Sequence, residues 1–244
     1  MSRPPSLTLS DRVTNCVRSD VISCVLRPDT RLKIGELAAS HGVSPGAVRE
    51  ALSRLSAEGI VIAEPQKGFR VAPVSADELR DLTETRVEIE RLCLRAALGT
   101  ATLAWETDVV AARHRLLHTP ERDADRPNTI SDEWVAAHSA FHESLVAGCS
   151  NTVLLQVRRQ LYARSERYRR LSVPLARAER DIAGEHEAIA DAALARDAER
   201  LDRLIGDHLR RTTAIILDAF EADGTPTVLG VRASSGDAGR TSAH

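Results

Sequence analysis

The sequence predicts a mainly α protein in two parts, a small N-terminal head carrying one β-hairpin and a longer all-helical body. Three observations carry this. Ala, Leu, Val and Arg dominate a composition with only 3% aromatic residues, which favours helices over sheets. Apolar residues recur at helical spacing over most of the chain, and the one β-branched run, Ile60-Val61-Ile62, is followed by a turn and a second short apolar stretch. At 244 residues the chain is long enough for two domains, each with its own core.

A first helix is predicted from Leu9 to Val25, with Val13, Cys16, Val17 and Val21 on one face, until Arg27-Pro28-Asp29 breaks it. A second covers Lys33 to Ser40. Gly42 supplies a tight turn, Ser44 offers an N-cap hydroxyl, and Pro45 takes the first position of a third helix that runs to Glu58. Ile60–Ile62 and Phe69–Val71 form a hairpin across Gln66-Lys67-Gly68, and Pro73 closes it.

Ser75, with Asp77 and Glu78 behind it, starts a long helix. Breaks near Thr100, in 119–129, at 148–151, at Val173-Pro174 and near Asp197 divide the rest into six helices in all. The expected division is a head at 1–75, an all-helical body at 76–223 and a disordered tail at 224–244, rich in Gly, Ser, Thr and Asp.

The net charge of −2 argues against a chain coated with nucleic acid, but it is unevenly spread: residues 1–75 carry +3 and the remainder −5. Cys16, Cys24, Cys93 and Cys149 follow no disulfide or metal spacing and read as reduced, mostly buried thiols. No stretch approaches the roughly 18 apolar residues of a membrane span. The opening segment, with Pro4 and Pro5, lacks the apolar core of a signal peptide, so a cytoplasmic protein is expected.

Leu37, Ala38, Val43, Val48, Leu52 and Leu55 are spaced to pack two helices across the turn at Gly42. The outer face of the second, with Ser44, Gly46, Ala47, Arg49 and Glu50, is left free. Such a helix fits the DNA major groove, where Arg49 can donate two hydrogen bonds to a guanine edge while the helix start holds a phosphate. The segment ELAASHGVSPGAVREALSRLSAEGIV at 36–61, followed by QKGFRV at 66–71, resembles the GntR family of bacterial regulators. The resemblance implies a winged helix-turn-helix on double-stranded operator DNA, with Ser44 and Arg49 contacting DNA and Lys67 and Gly68 of the wing approaching the minor groove. Pro45 and Gly35 stand where relatives usually carry arginine, which implies an altered or weaker operator.

Four histidines of the body fall on apolar stripes. His138 and His142 share a helix face with Trp134, Phe141 and Leu145; His186 lies in line with Ile182 and Ile189, and His208 with Leu201, Leu204 and Ile205. Imidazoles one turn apart can grip one metal ion, and neutral imidazole suits zinc, nickel, copper or iron(II). The alternative is four hydrogen-bonded core histidines.

The segments ETRVEIERLCLRAA at 84–97, SAFHESLVAGCSN at 139–151 and EHEAIADAALARDAERLDRLIGDHL at 185–209 resemble the FCD sensory domain of the FadR subfamily. That resemblance implies a bundle of six or seven helices that senses a small organic acid beside a divalent transition metal, zinc first and nickel, manganese or iron also admissible. His138 replaces the usual aspartate, leaving an all-nitrogen set of His138, His142, His186 and His208. Arg86 occupies the place of an arginine that pairs with an effector carboxylate in relatives; the competing reading is an ion pair with Glu90 one turn away. Arg164 and Arg167 are weaker cavity candidates, since the arginine-rich run 158–170 reads as a solvated face.

Two other readings stay open: a metal-free regulator with a histidine-lined cavity, and a metal-dependent hydrolase using Glu143, Glu185 or Glu187. On its own helix each of these carboxylates points about 100 degrees from the neighbouring histidine, which disfavours catalysis. The expected assembly is a homodimer on a roughly palindromic operator, repression being relieved when an effector shifts the heads.

Overall fold

Helix α1 (Leu9–Ile22) begins at a reciprocal cap: Thr8 accepts from the Asp11 amide, and the Asp11 carboxylate accepts from the Thr8 amide. It ends three residues earlier than the sequence predicts, because Cys24 takes a positive φ of 63° and turns the chain before Pro28 is reached. The computed structural model describes residues 8–125, 130–172 and 180–222. The expected tail at 224–244 and the Val173-Pro174 break lie outside them.

Strand β1 (Arg31–Leu32) leads into α2 (Ile34–His41), and Gly42 follows in the left-handed conformation at φ 64°, where a side chain would be strained. Ser44 caps α3 (Pro45–Ala57) through the Ala47 amide at 3.2 Å, with Pro45 at the first turn. Strands β2 (Val61–Glu64) and β3 (Gly68–Val71) form the hairpin, in register from Val61 opposite Val71 to Glu64 opposite Gly68. β1 was not anticipated. Two residues are too few to show alternation, yet they pair with β3 and make a three-stranded antiparallel sheet in the order β1-β3-β2. Val13, Val17, Val21, Val48, Leu52, Leu55, Ile60 and Val71 form the head's core.

Among the described residues the body contains the six helices expected: α4 (Ala76–Leu98), α5 (Leu103–Leu117), α6 (Asp132–Val146), α7 (Thr152–Ser172), α8 (Ile182–Leu194) and α9 (Ala198–Ala222). Ser75 caps α4, Thr102 α5, Ser131 α6 and Asp181 α8, each by accepting from a backbone amide three residues on. α4 packs along α9 and α7, α6 along α5, and α8 against α9 and α5, around Val87, Leu94, Trp105, Val109, Phe141, Leu145, Ile189, Leu201 and Ile205. Gly148 lets the turn after α6 meet the end of α4, for a Cβ there would stand 2.9 Å from the Ala97 carbonyl oxygen. Cys93 and Cys149 are buried in this core and Cys24 is half-buried, but Cys16 is exposed on α1. No helix among the described residues is long and apolar enough to cross a membrane.

Candidate functional site: an exposed recognition helix and a buried histidine cluster

On the head, Ser44, Gly46 and Arg49 are exposed along the outer face of α3 and Ala47 is half-covered. Glu50 on the same face is drawn away by Arg54, which it meets at 2.5 Å. Lys67 and Gly68 are exposed at the tip of the β2–β3 hairpin, where Gln66 and Gly68 take positive φ values of 60° and 95° and Arg31 donates to the Lys67 carbonyl at 2.7 Å. Arg49 and Lys67 thus stand out on two neighbouring projections, as a groove reader and a wing require.

The body's four histidines converge from three helices, because each lies on the apolar face its helix turns inward. His138 and His142 come from α6, His186 from α8 and His208 from α9, and all four are buried. One ring nitrogen from each lies within 4.8 Å of all the others. Ring centroids are 4.6 Å apart for His138 and His142 and 4.8 Å for His186 and His208, and Trp134 stacks on His138 at 4.7 Å.

Burial, then mutual repulsion among the rings and nearby arginines, holds His138 and His142 well below the usual histidine range. The same causes push His186 down to about 2. For His208, burial outweighs the opposing hydrogen bond to Glu185, and its value is lowered too. All four are therefore neutral at pH 7, with lone pairs free. The Nε2 atoms of His142 and His186 are buried with no hydrogen-bond partner, a condition that costs about 1–3 kcal/mol each. Four neutral imidazoles with orphaned nitrogens fit a borderline transition metal such as zinc. Four ligands arranged tetrahedrally about 2.1 Å from one ion would stand about 3.4 Å apart, so the rings would have to draw together from their present spacing to share it.

Beside the cluster is a cavity of about 150 Å³, its polar lining including His138, His208, Arg86, Tyr162, Glu166, Arg169 and Arg180 and its apolar lining Leu79, Ile215 and Ile216. Arg86 is the unusual member. Glu90, the partner foreseen for it, is held by Arg158 at 2.7 Å, and Arg158 also donates to the His142 carbonyl at 2.9 Å. Arg86 is left 3.5 Å from Glu90, its Nε without a hydrogen-bond partner, its guanidinium 4.9 Å from the centre of the Tyr162 ring. One buried carboxylate thus faces two buried guanidinium groups, and the surplus positive charge borders the cavity.

Arg164 and Arg167, weaker cavity candidates by sequence, do not line it. On α7 the cavity face is Tyr162, Ser165, Glu166 and Arg169, and the helical period turns residues 164, 167 and 168 away from it. They hold the connection to the head. Arg164 pairs with Glu78 at 2.5 Å, Arg167 donates to the Ala72 carbonyl, and the Tyr168 hydroxyl accepts from the Ser75 amide at 3.1 Å and donates to Glu78 at 2.7 Å. Nor is 158–170 a solvated face: Arg158 and Arg167 are buried, because α7 is covered on both sides.

Sequence reasoning also missed Arg158, Tyr162, Arg169 and Arg180, and considered Glu185 only as a base in the disfavoured hydrolase reading. The signal for the first three was present, since Arg158, Tyr162, Ser165 and Arg169 fall on one helical stripe. Glu185 approaches His208 on a different helix, a contact that the angle to its sequence neighbour His186 does not reveal.

Residues 9–71 match the bacterial regulatory proteins of the gntR family, and residues 81–211 match the FCD domain. The chain is 38% identical over 200 residues to the transcriptional regulator BphR of Paraburkholderia xenovorans, covering 82% of each protein. To the repressor GlaR of Escherichia coli it is 35% identical, covering 84% of this chain and 94% of that one. The fold resembles E. coli McbR/YncC, with a TM-score of 0.72, 20% identity and 88% and 100% of the two chains covered. A putative GntR regulator from Rhodococcus sp. RHA1 aligns at a TM-score of 0.68 and 23% identity, over 86% and 98%. The chain belongs to the GntR family, with a C-terminal FCD domain, and is a transcriptional regulator rather than an enzyme.

Proposed function

We propose that this regulator is a repressor of the FadR type that binds operator DNA as a homodimer and releases it when a small carboxylate enters the cavity beside a histidine-bound divalent metal. The observation that carries the reading is the pairing of four neutral, converging imidazoles with a buried guanidinium that has to share its carboxylate, Glu90, with Arg158.

His138, His142, His186 and His208 would hold the ion, with zinc favoured by the all-nitrogen set. When bound, the ion supplies a Lewis-acidic centre for an anionic oxygen. Arg86 orients the carboxylate from one side, Tyr162 supports the guanidinium, and Leu79, Ile215 and Ile216 exclude water from the ligand's other end. A cavity of this size holds a ring or short chain of about six to eight non-hydrogen atoms. On the DNA, Arg49 reads a base edge, the amides at Gly46 and Ala47 and the Ser44 hydroxyl approach phosphate, and Lys67 with Gly68 enters the minor groove. The division between head and body falls in the connection ending at Ser75.

α7 lines the cavity with one face and holds Ala72, Ser75 and Glu78 with the other, so a ligand that displaces it alters the purchase of the body on the head. An operator selected from a random duplex pool, followed by anisotropy titration at fixed salt with zinc and a panel of C2–C8 carboxylates, tests the reading. One or more acids should release the wild-type protein. The Arg86→Ala variant should bind the operator as tightly and fail to respond; a normal response in that variant would refute the clamp.

A further inference from the structure

We propose that Glu185 is a positioning residue for the metal site, holding His208 in its Nδ1–H form so that Nε2 is the nitrogen offered to the other three imidazoles. This rests on reading the four-histidine cluster as a metal site.

The Glu185 Oε2 atom lies 2.8 Å from His208 Nδ1. Other groups hold that carboxylate from the far side: Arg180 donates to Oε1 at 2.9 Å and to Oε2 at 2.5 Å, and Arg211 donates to Oε1 at 2.7 Å. With guanidinium groups on both of its oxygens, Glu185 is held as a carboxylate. An ionised carboxylate only accepts hydrogen bonds, so at 2.8 Å the proton must sit on His208 Nδ1. Arg180 also donates toward that nitrogen at 3.2 Å, beside its contacts to the His208 carbonyl at 3.1 Å and Thr212 at 2.9 Å. The Glu185 contact at 2.8 Å is the shorter of the two on Nδ1 and is the one that fixes the proton there.

The other rings meet neutral partners, His186 having a backbone hydrogen bond to Ile182. His138 Nδ1 stands 3.4 Å from the Tyr162 hydroxyl, too long for a strong hydrogen bond. A carboxylate on the far nitrogen of a ligand histidine fixes the tautomer and ring plane and raises the basicity of the ligating nitrogen. Glu185 therefore makes His208 the pre-set ligand around which α6 and α8 bring theirs. It also lies next to His186 in sequence, so one short stretch of α8 supplies a ligand and the support for another.

Long-range ¹H–¹⁵N spectra of the full chain labelled at histidine nitrogen, assigned with a His208→Ala variant, report the tautomer without metal. Wild type should show His208 as Nδ1–H, and Glu185→Ala should move it to the Nε2–H form. In parallel, competition with a chelator measures zinc affinity. Glu185→Ala should weaken it about 10- to 100-fold with helical content unchanged, Glu185→Gln should recover part of the loss, and Glu187→Ala, an exposed neighbour, should match wild type. An Nε2–H tautomer in wild type, or unaltered zinc affinity in Glu185→Ala, overturns the proposal. A wild-type chain that takes up no zinc overturns the metal reading instead, and the tautomer comparison then still decides whether Glu185 orients His208.

Discussion

The head and the body place their chemistry in opposite settings. Arg49 and Lys67 stand in solvent on rigid projections, where DNA supplies the partner, whereas the four imidazoles and Arg86 are buried with their needs only partly met. Exposed groups cost the fold nothing and remain available to a macromolecule. Buried and unsatisfied ones store a demand that only a small ligand or ion can meet. Substitutions in the head should therefore alter binding and spare stability, while those in the body should alter stability in proportion to how completely each group is already paired.

The largest effect expected is on pH dependence of the metal-free chain. Buried histidines stay neutral in the fold, but in the unfolded chain they protonate below about pH 6.5. Folded values lie beneath unfolded ones, so this stability is fully present above about pH 6.5 and is lost as the pH falls below it. The loss is up to about 1.4 kcal/mol per pH unit for each histidine that stays neutral. Urea midpoints between pH 7.5 and 5.5 should drop steeply; a flat profile would mean that the rings are hydrated. Glu185, whose value is lowered, adds a loss of the same sign only below about pH 4.5.

Two buried arginines sharpen the contrast within the body. Arg158→Ala leaves Glu90 with only the long contact to Arg86 and should cost about 3–5 kcal/mol in urea denaturation. Arg86→Ala leaves Glu90 paired and should cost no more than about 1 kcal/mol. Equal losses would show that Arg86 is structural. In the head, Arg49→Ala should weaken operator binding by about 1–3 kcal/mol per half-site with the urea midpoint unchanged. Smallest is Ser44→Ala, which removes the cap of α3 and should lower stability by about 1 kcal/mol in the same assay.

What could be read from the sequence divides along the same line. All of the head's elements but β1 were legible because their signals are local: Gly42 for the left-handed turn, Ser44 and Pro45 for the start of α3, Ile60 to Ile62 for a strand. The four histidines were legible because periodicity puts each on an inward stripe of its own helix. Their convergence, and the sharing of Glu90 between Arg158 and Arg86, depend on how helices far apart in sequence pack. α7 shows the limit most clearly. An arginine-rich run looked solvated, yet Arg158 and Arg167 are buried because cavity and connection cover it from two sides, and no property of the run itself announces a second partner.

The central claim is that the body's cluster is a metal-centred sensor, and elemental analysis of purified, untagged protein by mass spectrometry tests it most directly, with a His142→Ala, His208→Ala double variant as control. The account predicts about one transition metal ion per chain in wild type and none in the variant. Metal in neither, even after reconstitution with zinc, would contradict it and leave a DNA-binding regulator whose histidines line a metal-free cavity.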